Sequence, residues 1–80
     1  MKNLYEVEMY TGYFIHNNYI YGPEMSGIFY IQNDYIYGPI NSGRYYIQNG
    51  YIYGPKETGK FYIPGDYIYG PNKNLPWMSE

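Results

Sequence analysis

The sequence predicts an all-β protein of 16-residue antiparallel β-hairpin repeats, four complete and a fifth made from the paired termini. Three observations carry this reading. The pentapeptide Tyr-Ile-Tyr-Gly-Pro starts at residues 19, 35, 51 and 67, a constant spacing of 16. Such a period marks one supersecondary unit repeated. Each copy follows an aromatic-rich stretch and a pair of turn-forming residues. The 80 residues also hold fifteen Tyr, three Phe and one Trp beside ten Gly and six Pro, a composition of strands and turns.

In the first unit Tyr13-Phe14-Ile15-His16 and Tyr19-Ile20-Tyr21 flank Asn17-Asn18. The second repeats this with Phe29-Tyr30-Ile31-Gln32 and Tyr35-Ile36-Tyr37 around Asn33-Asp34. The third places Asn49-Gly50 between Tyr45-Tyr46-Ile47-Gln48 and Tyr51-Ile52-Tyr53. In the fourth, Gly65-Asp66 separates Phe61-Tyr62-Ile63-Pro64 from Tyr67-Ile68-Tyr69. All four dipeptides tolerate the positive φ that two-residue hairpin turns require.

That turn register sets the faces, because successive side chains on a strand point to opposite sides. One face gathers Ile15, Ile20, Ile31, Ile36, Ile47, Ile52, Ile63 and Ile68 with Tyr13, Phe29, Tyr45 and Phe61. Burying each of those isoleucines is worth roughly 1.5–3 kcal/mol, so this face is taken as the core. The other face gathers Phe14 and eleven tyrosines. Gly22, Gly38, Gly54 and Gly70 fall on the core side opposite the aromatic, where a missing side chain leaves room for its ring.

Connectors follow Gly-Pro-x-x-Ser/Thr-Gly, as in Gly54-Pro55-Lys56-Glu57-Thr58-Gly59. Pro offers no N–H to a ladder, so the second strand ends there. The first connector departs, with Thr11 where Gly27, Gly43 and Gly59 recur. Residues 3–10 alternate loosely and read as a strand. The 16-residue register aligns Asn3-Leu4-Tyr5 with a second strand and Trp77-Met78 with a first strand. The expectation is a fifth hairpin with Trp77 beside Leu4. It would close a flower- or propeller-like ring and hide the edge strands. Deleting residues 72–80 would then cost several kcal/mol and promote association. The alternative architecture is an open single-layer hairpin meander.

Residues 1–80 form a single domain. Without cysteine there is no disulfide and no thiolate chemistry, and one histidine forms no multi-histidine metal site. Five basic residues against seven acidic ones leave no basic stripe for nucleic acid or anionic membrane. No apolar window approaches a membrane span, and Met1–Glu6 has no leader-like apolar run, so a cytoplasmic setting is expected.

The pattern Gly-x-aromatic-aromatic-Ile-x-turn-Tyr-Ile-Tyr, as in Gly43-Arg44-Tyr45-Tyr46-Ile47-Gln48-Asn49-Gly50-Tyr51-Ile52-Tyr53, resembles the small β-flower proteins. In those, short hairpins radiate around a pseudo-rotational axis. The segment Asn74-Leu75-Pro76-Trp77-Met78 looks like that family's closing strand. This resemblance implies a fold and lends no activity. The units are also similar to choline-binding hairpin repeats, whose longer, Trp-rich hairpins cage a quaternary ammonium; here the period is 16 and Tyr stands in place of Trp.

Nothing points to catalysis. The carboxylates Glu24, Asp34, Glu57 and Asp66 sit at turns or connectors, where acidic residues serve solubility and turn formation. His16 lies just before a turn, where other units have Gln32, Gln48 and Pro64. No catalytic residue, metal ligand or cofactor is assigned. The Tyr face is the candidate site, because tyrosine offers large, rigid, amphipathic contact area. Tyr21, Tyr37, Tyr53 and Tyr69 are expected to be partly buried. Tyr19, Tyr35, Tyr51 and Tyr67, nearer the turns, are the candidate ligand-binding residues. Two functions follow: a non-catalytic module contacting a protein, glycan or cationic small ligand, or a structural repeat that self-associates into a homo-oligomer.

Overall fold

The computed structural model describes residues 9–79. Its eight strands are β1 (Met9–His16), β2 (Tyr19–Tyr21), β3 (Phe29–Gln32), β4 (Tyr35–Tyr37), β5 (Tyr45–Gln48), β6 (Tyr51–Tyr53), β7 (Phe61–Tyr62) and β8 (Tyr67–Gly70). They run in sequence order around a closed antiparallel barrel. The all-β hairpin ring is therefore observed, and the open meander is not.

The hairpin registers match the sequence reading: Ile15 faces Ile20, Ile31 faces Ile36, and Ile47 faces Ile52. Local conformation explains the turns. Asn17-Asn18, Asn33-Asp34 and Asn49-Gly50 all have φ between 55 and 82° at both positions. That is the type I′ signature, whose twist matches that of the flanking strands. The fourth turn differs, because only Gly65 is left-handed, at φ 84°. It directly follows Pro64, the Pro-Gly order of a type II turn. Pro64 also has no ladder N–H, and β7 is correspondingly short.

Neighbouring hairpins are joined by a repeated backbone bond. Ile31, Ile47 and Ile63 donate their N–H to the carbonyls of Asn18, Asp34 and Gly50 at 2.7–2.8 Å, and Ile15 donates to Asp66 at 2.8 Å. The last bond brings the fourth hairpin back to the first, so the circuit has approximate fourfold symmetry. At the opposite end, Gly27, Gly43 and Gly59 donate to the carbonyls of Ile20, Ile36 and Ile52 at 2.8 Å. In the fourth quarter the hydroxyl of fully buried Thr11 donates to the Ile68 carbonyl at 2.7 Å. The Thr11 hydroxyl thus takes the place of the N–H that a connector glycine supplies in the other three quarters.

Ring closure is the main departure from expectation. It is made by β1 against β8, with Met9 opposite Gly70, Tyr10 opposite Tyr69 and a bulge before Phe14 meets Tyr67. The predicted fifth hairpin is not its basis. Trp77 and Met78 lie in a 3-10 turn, Pro76–Met78, not in a strand. Their expected partners at residues 3–5 lie outside the described residues, as does most of the strand read over 3–10. The physical reason is Pro76, which has no ladder N–H and whose fixed φ suits the first position of a helical turn. Because β1·β8 supplies the closure, the expected association of a tail-deleted chain loses its edge-strand rationale.

The interior holds Tyr13, Phe29, Tyr45 and Phe61 with Ile20, Ile36, Ile52 and Ile68, all nearly inaccessible, and Leu75 and Trp77 from the tail. An eight-stranded barrel is just wide enough for side chains to fill. The other four isoleucines of the predicted core face, Ile15, Ile31, Ile47 and Ile63, are only partly buried against it. The pairing explains this difference. Ile20 is flanked by Ile15 within its hairpin and by Phe29 of the next. On its outer flank, Ile31 meets the turn backbone at Asn18 instead.

Candidate functional site: an outer belt of aromatic triplets

The strands that turn Ile and one aromatic inward turn the alternate aromatics outward. Each second-strand tip tyrosine lies opposite a first-strand aromatic of the next hairpin: Tyr19 opposite Tyr30, Tyr35 opposite Tyr46, Tyr51 opposite Tyr62. That aromatic in turn lies opposite Tyr37, Tyr53 or Tyr69 within its own hairpin. Three all-tyrosine triplets result, with centroid separations of 5.6–5.8 Å throughout. Inter-hairpin pairs are tilted by 33–42°, and intra-hairpin pairs stack at 28–29°.

The fourth triplet is different. Phe14 takes the middle place, 5.6 Å from Tyr21 and 6.5 Å from Tyr67. Tyr10 adds a further ring, edge-on to Tyr67 at 5.5 Å and tilted against Tyr69 at 5.7 Å. It bridges the third and fourth triplets across the β1·β8 seam. The sequence reading missed Tyr10, whose only signal was the departure of the first connector from its pattern.

Tyr19, Tyr35, Tyr51 and Tyr67 are 43, 43, 45 and 52% exposed. Tyr21, Tyr37, Tyr53 and Tyr69 are partly buried, in the order expected. Each of the four tip tyrosines belongs to a different triplet, so the structure distributes them around the barrel and brings no two together. Three like surfaces and a fourth built around Phe14 and Tyr10 exist in place of one shared pocket. In the three all-tyrosine triplets the rings lie side by side, tilted or stacked, and make a platform of ring faces.

A concavity lies at the connector end. The tail folds across it and forms a groove of about 390 Å³ lined by Tyr13, Pro23, Glu24, Lys73, Asn74, Leu75, Met78 and Ser79. Sequence reasoning could not find it, because its walls are far apart in the chain. His16 is exposed, with its ring 6.4 Å from that of Tyr21. Among the described residues, no group of three His, Asp or Glu side chains could hold a metal, and no helix is long and apolar enough to cross a membrane.

Tyr10 and Tyr13 titrate late. Tyr10 is 39% exposed, and partial desolvation against its ring neighbours raises its pKa above the ordinary 10.0, with Tyr67 and Tyr69 raising it further. Burial also raises Tyr13, with the Glu24 carboxylate adding to the rise and a backbone hydrogen bond from Glu24 opposing it. A folded-state pKa above the unfolded value means stability that is complete below that value and lost as pH climbs through the folded one. Thermal melts should therefore fall as pH rises above about 10. Tyr13→Phe, which copies Phe29 and Phe61, and Tyr10→Phe should both flatten that decline. Alkaline melts that decline unchanged in both variants would refute the assignment.

Comparison with known protein families, with curated proteins and with solved structures finds no match for this chain.

Proposed function

We propose that the protein is a non-catalytic binding module that contacts a glycan through its outward tyrosines. The supporting observation is the fourfold repetition of an exposed tip tyrosine, braced on one side by the next ring of its triplet. Such a ring is already ordered before binding, so contact costs little side-chain entropy. A sugar ring stacked on the open side would find neighbouring phenol hydroxyls as hydrogen-bond partners. The formal charge of −2 favours neutral or cationic saccharides over acidic ones. Repeated weak contacts along a polymer gain affinity through effective concentration.

An oligosaccharide array, read with wild type and with the double variant Tyr35→Ala/Tyr51→Ala, tests this. Binding should weaken at least about fivefold in the double variant, as for loss of an aromatic contact worth more than 1 kcal/mol. Undiminished binding would place recognition elsewhere, the connector-end groove included. A second reading, self-association, is favoured by the exposure of the apolar Met9 and Ile28 in addition to the outward aromatics. Elution as an oligomer at micromolar concentration, with tyrosines shielded from solvent, would select it.

A further inference from the structure

We propose that the tyrosine triplets are an oxidative cross-linking site, at which a one-electron oxidant couples neighbouring phenols of the same barrel into dityrosine. The inference is independent of glycan binding. Coupling needs two phenoxyl radicals whose ortho carbons can meet. The barrel supplies such partners in advance: Tyr19 with Tyr30, Tyr35 with Tyr46 and Tyr51 with Tyr62 lie 5.6–5.7 Å apart between centroids, and Tyr10 lies 5.5 Å from Tyr67. Rigid strands hold these rings, and they are open to reagent; Tyr19, Tyr30, Tyr35, Tyr46 and Tyr51 are each at least 36% exposed.

The chemistry balances with an oxidant such as a haem peroxidase supplied with hydrogen peroxide. Each phenol loses one electron and one proton to become a phenoxyl radical. The two radicals join by a bond between ortho carbons, and the ring hydrogens at those carbons move to the oxygens to restore both phenols. Two electrons and two protons leave in all, reducing one peroxide to two waters. Positioned neighbours react at a high effective concentration, so coupling within one barrel outruns coupling between barrels in dilute solution.

The consequence is structural. Tyr19–Tyr30, Tyr35–Tyr46 and Tyr51–Tyr62 each span consecutive hairpins, and Tyr10–Tyr67 spans the β1·β8 seam. Bonds at these places staple hairpin to hairpin and constrain the unfolded chain as a disulfide would. The fourth triplet is a built-in control. Among the described residues, the ring neighbours of Tyr21 are Phe14 and His16, neither of them a phenol. Tyr37, Tyr53 and Tyr69 lie 5.6–5.8 Å from Tyr30, Tyr46 and Tyr62 and are their second coupling partners, so Tyr21 should be spared where these three are not.

The test is peroxidase treatment of the dilute folded protein, followed by fluorescence, sizing and peptide mapping by mass spectrometry. The expected product is monomer-sized and dityrosine-fluorescent. It should be lighter by two hydrogens per bond, more heat-resistant, and cross-linked at the named pairs with Tyr21 untouched. Dityrosine found only in covalent dimers would overturn the proposal. So would a pattern unchanged in denaturant, or cross-linking of Tyr21 as frequent as that of Tyr37. Tyr30→Phe/Tyr46→Phe/Tyr62→Phe should fold, since Phe14 already fills that place, and should lose several-fold in dityrosine yield. An undiminished yield in that variant would equally overturn it.

Discussion

Gly38→Ala is expected to destabilise the barrel by about 3 kcal/mol, the upper part of the range for forcing atoms into a packed core. A Cβ built on Gly38 lies 2.9 Å from Cγ of Phe29 and closer still to Cδ2 and Cε2 of the same ring. No two unbonded carbons sit so near, so the ring must leave its place or the strands must part. Phe29 is 1% exposed and surrounded by the core, which leaves it nowhere to go. For a domain of this size 1 kcal/mol moves the melting temperature by about 4–8 °C, so a fall of roughly 12–24 °C is expected. The same clash recurs at Gly22 with Tyr13, Gly54 with Tyr45 and Gly70 with Phe61. Combining Gly38→Ala with Phe29→Leu should recover part of the loss, because the two changes share one space. Additive losses in that double variant, measured by denaturant titration, would contradict the ring-in-glycine account.

Trp77→Ala should cost about 3–5 kcal/mol, a large fraction of the roughly 5–15 kcal/mol of a typical domain. Trp77 is wholly buried, with its ring centroid 5.9 Å from that of Tyr45. The 3-10 turn carrying it is held from outside: Asn41 Nδ2 donates to the carbonyls of Trp77 at 3.1 Å and Ser79 at 2.9 Å. Asn41 itself is left-handed at φ 51°, a conformation asparagine adopts more readily than most residues. The indole Nε1 is buried and has no hydrogen-bond partner among the described residues. An unmade bond of this kind costs about 1–3 kcal/mol, which Trp77→Phe removes along with part of the ring. Trp77→Phe should therefore retain most of the stability that Trp77→Ala forfeits. Equal losses in the two variants would mean that the plug acts through its indole nitrogen and not through its volume.

Much of this fold was legible in the sequence because its determinants are local. Asn17-Asn18, Asn33-Asp34 and Asn49-Gly50 set the turn, the turn sets the register, and the register sets which side chains point inward. Gly38 opposite Phe29 follows from the same two-residue periodicity. The exposure of Tyr19, Tyr35, Tyr51 and Tyr67 followed as well, since a tip residue on the outer face has few neighbours to cover it. The triplets did not follow, because Tyr19 meets Tyr30 only once the relation between one hairpin and the next is known.

What the sequence by itself determined, then, is the repeating hairpin, its two faces and the aromatic character of the outer one. The tertiary structure decided how the circuit closes and what fills it. Tyr10 pairs with Tyr69 across β1·β8, Thr11 replaces a connector glycine at the Ile68 carbonyl, and Trp77 enters the core from a 3-10 turn. Repeat arithmetic assigned Trp77 to a strand because it counts positions without weighing the alternatives. Once β1 and β8 had satisfied each other's backbone groups, no edge remained that needed the tail. The uncovered end of the aromatic core was the place where a large apolar ring gained most by burial.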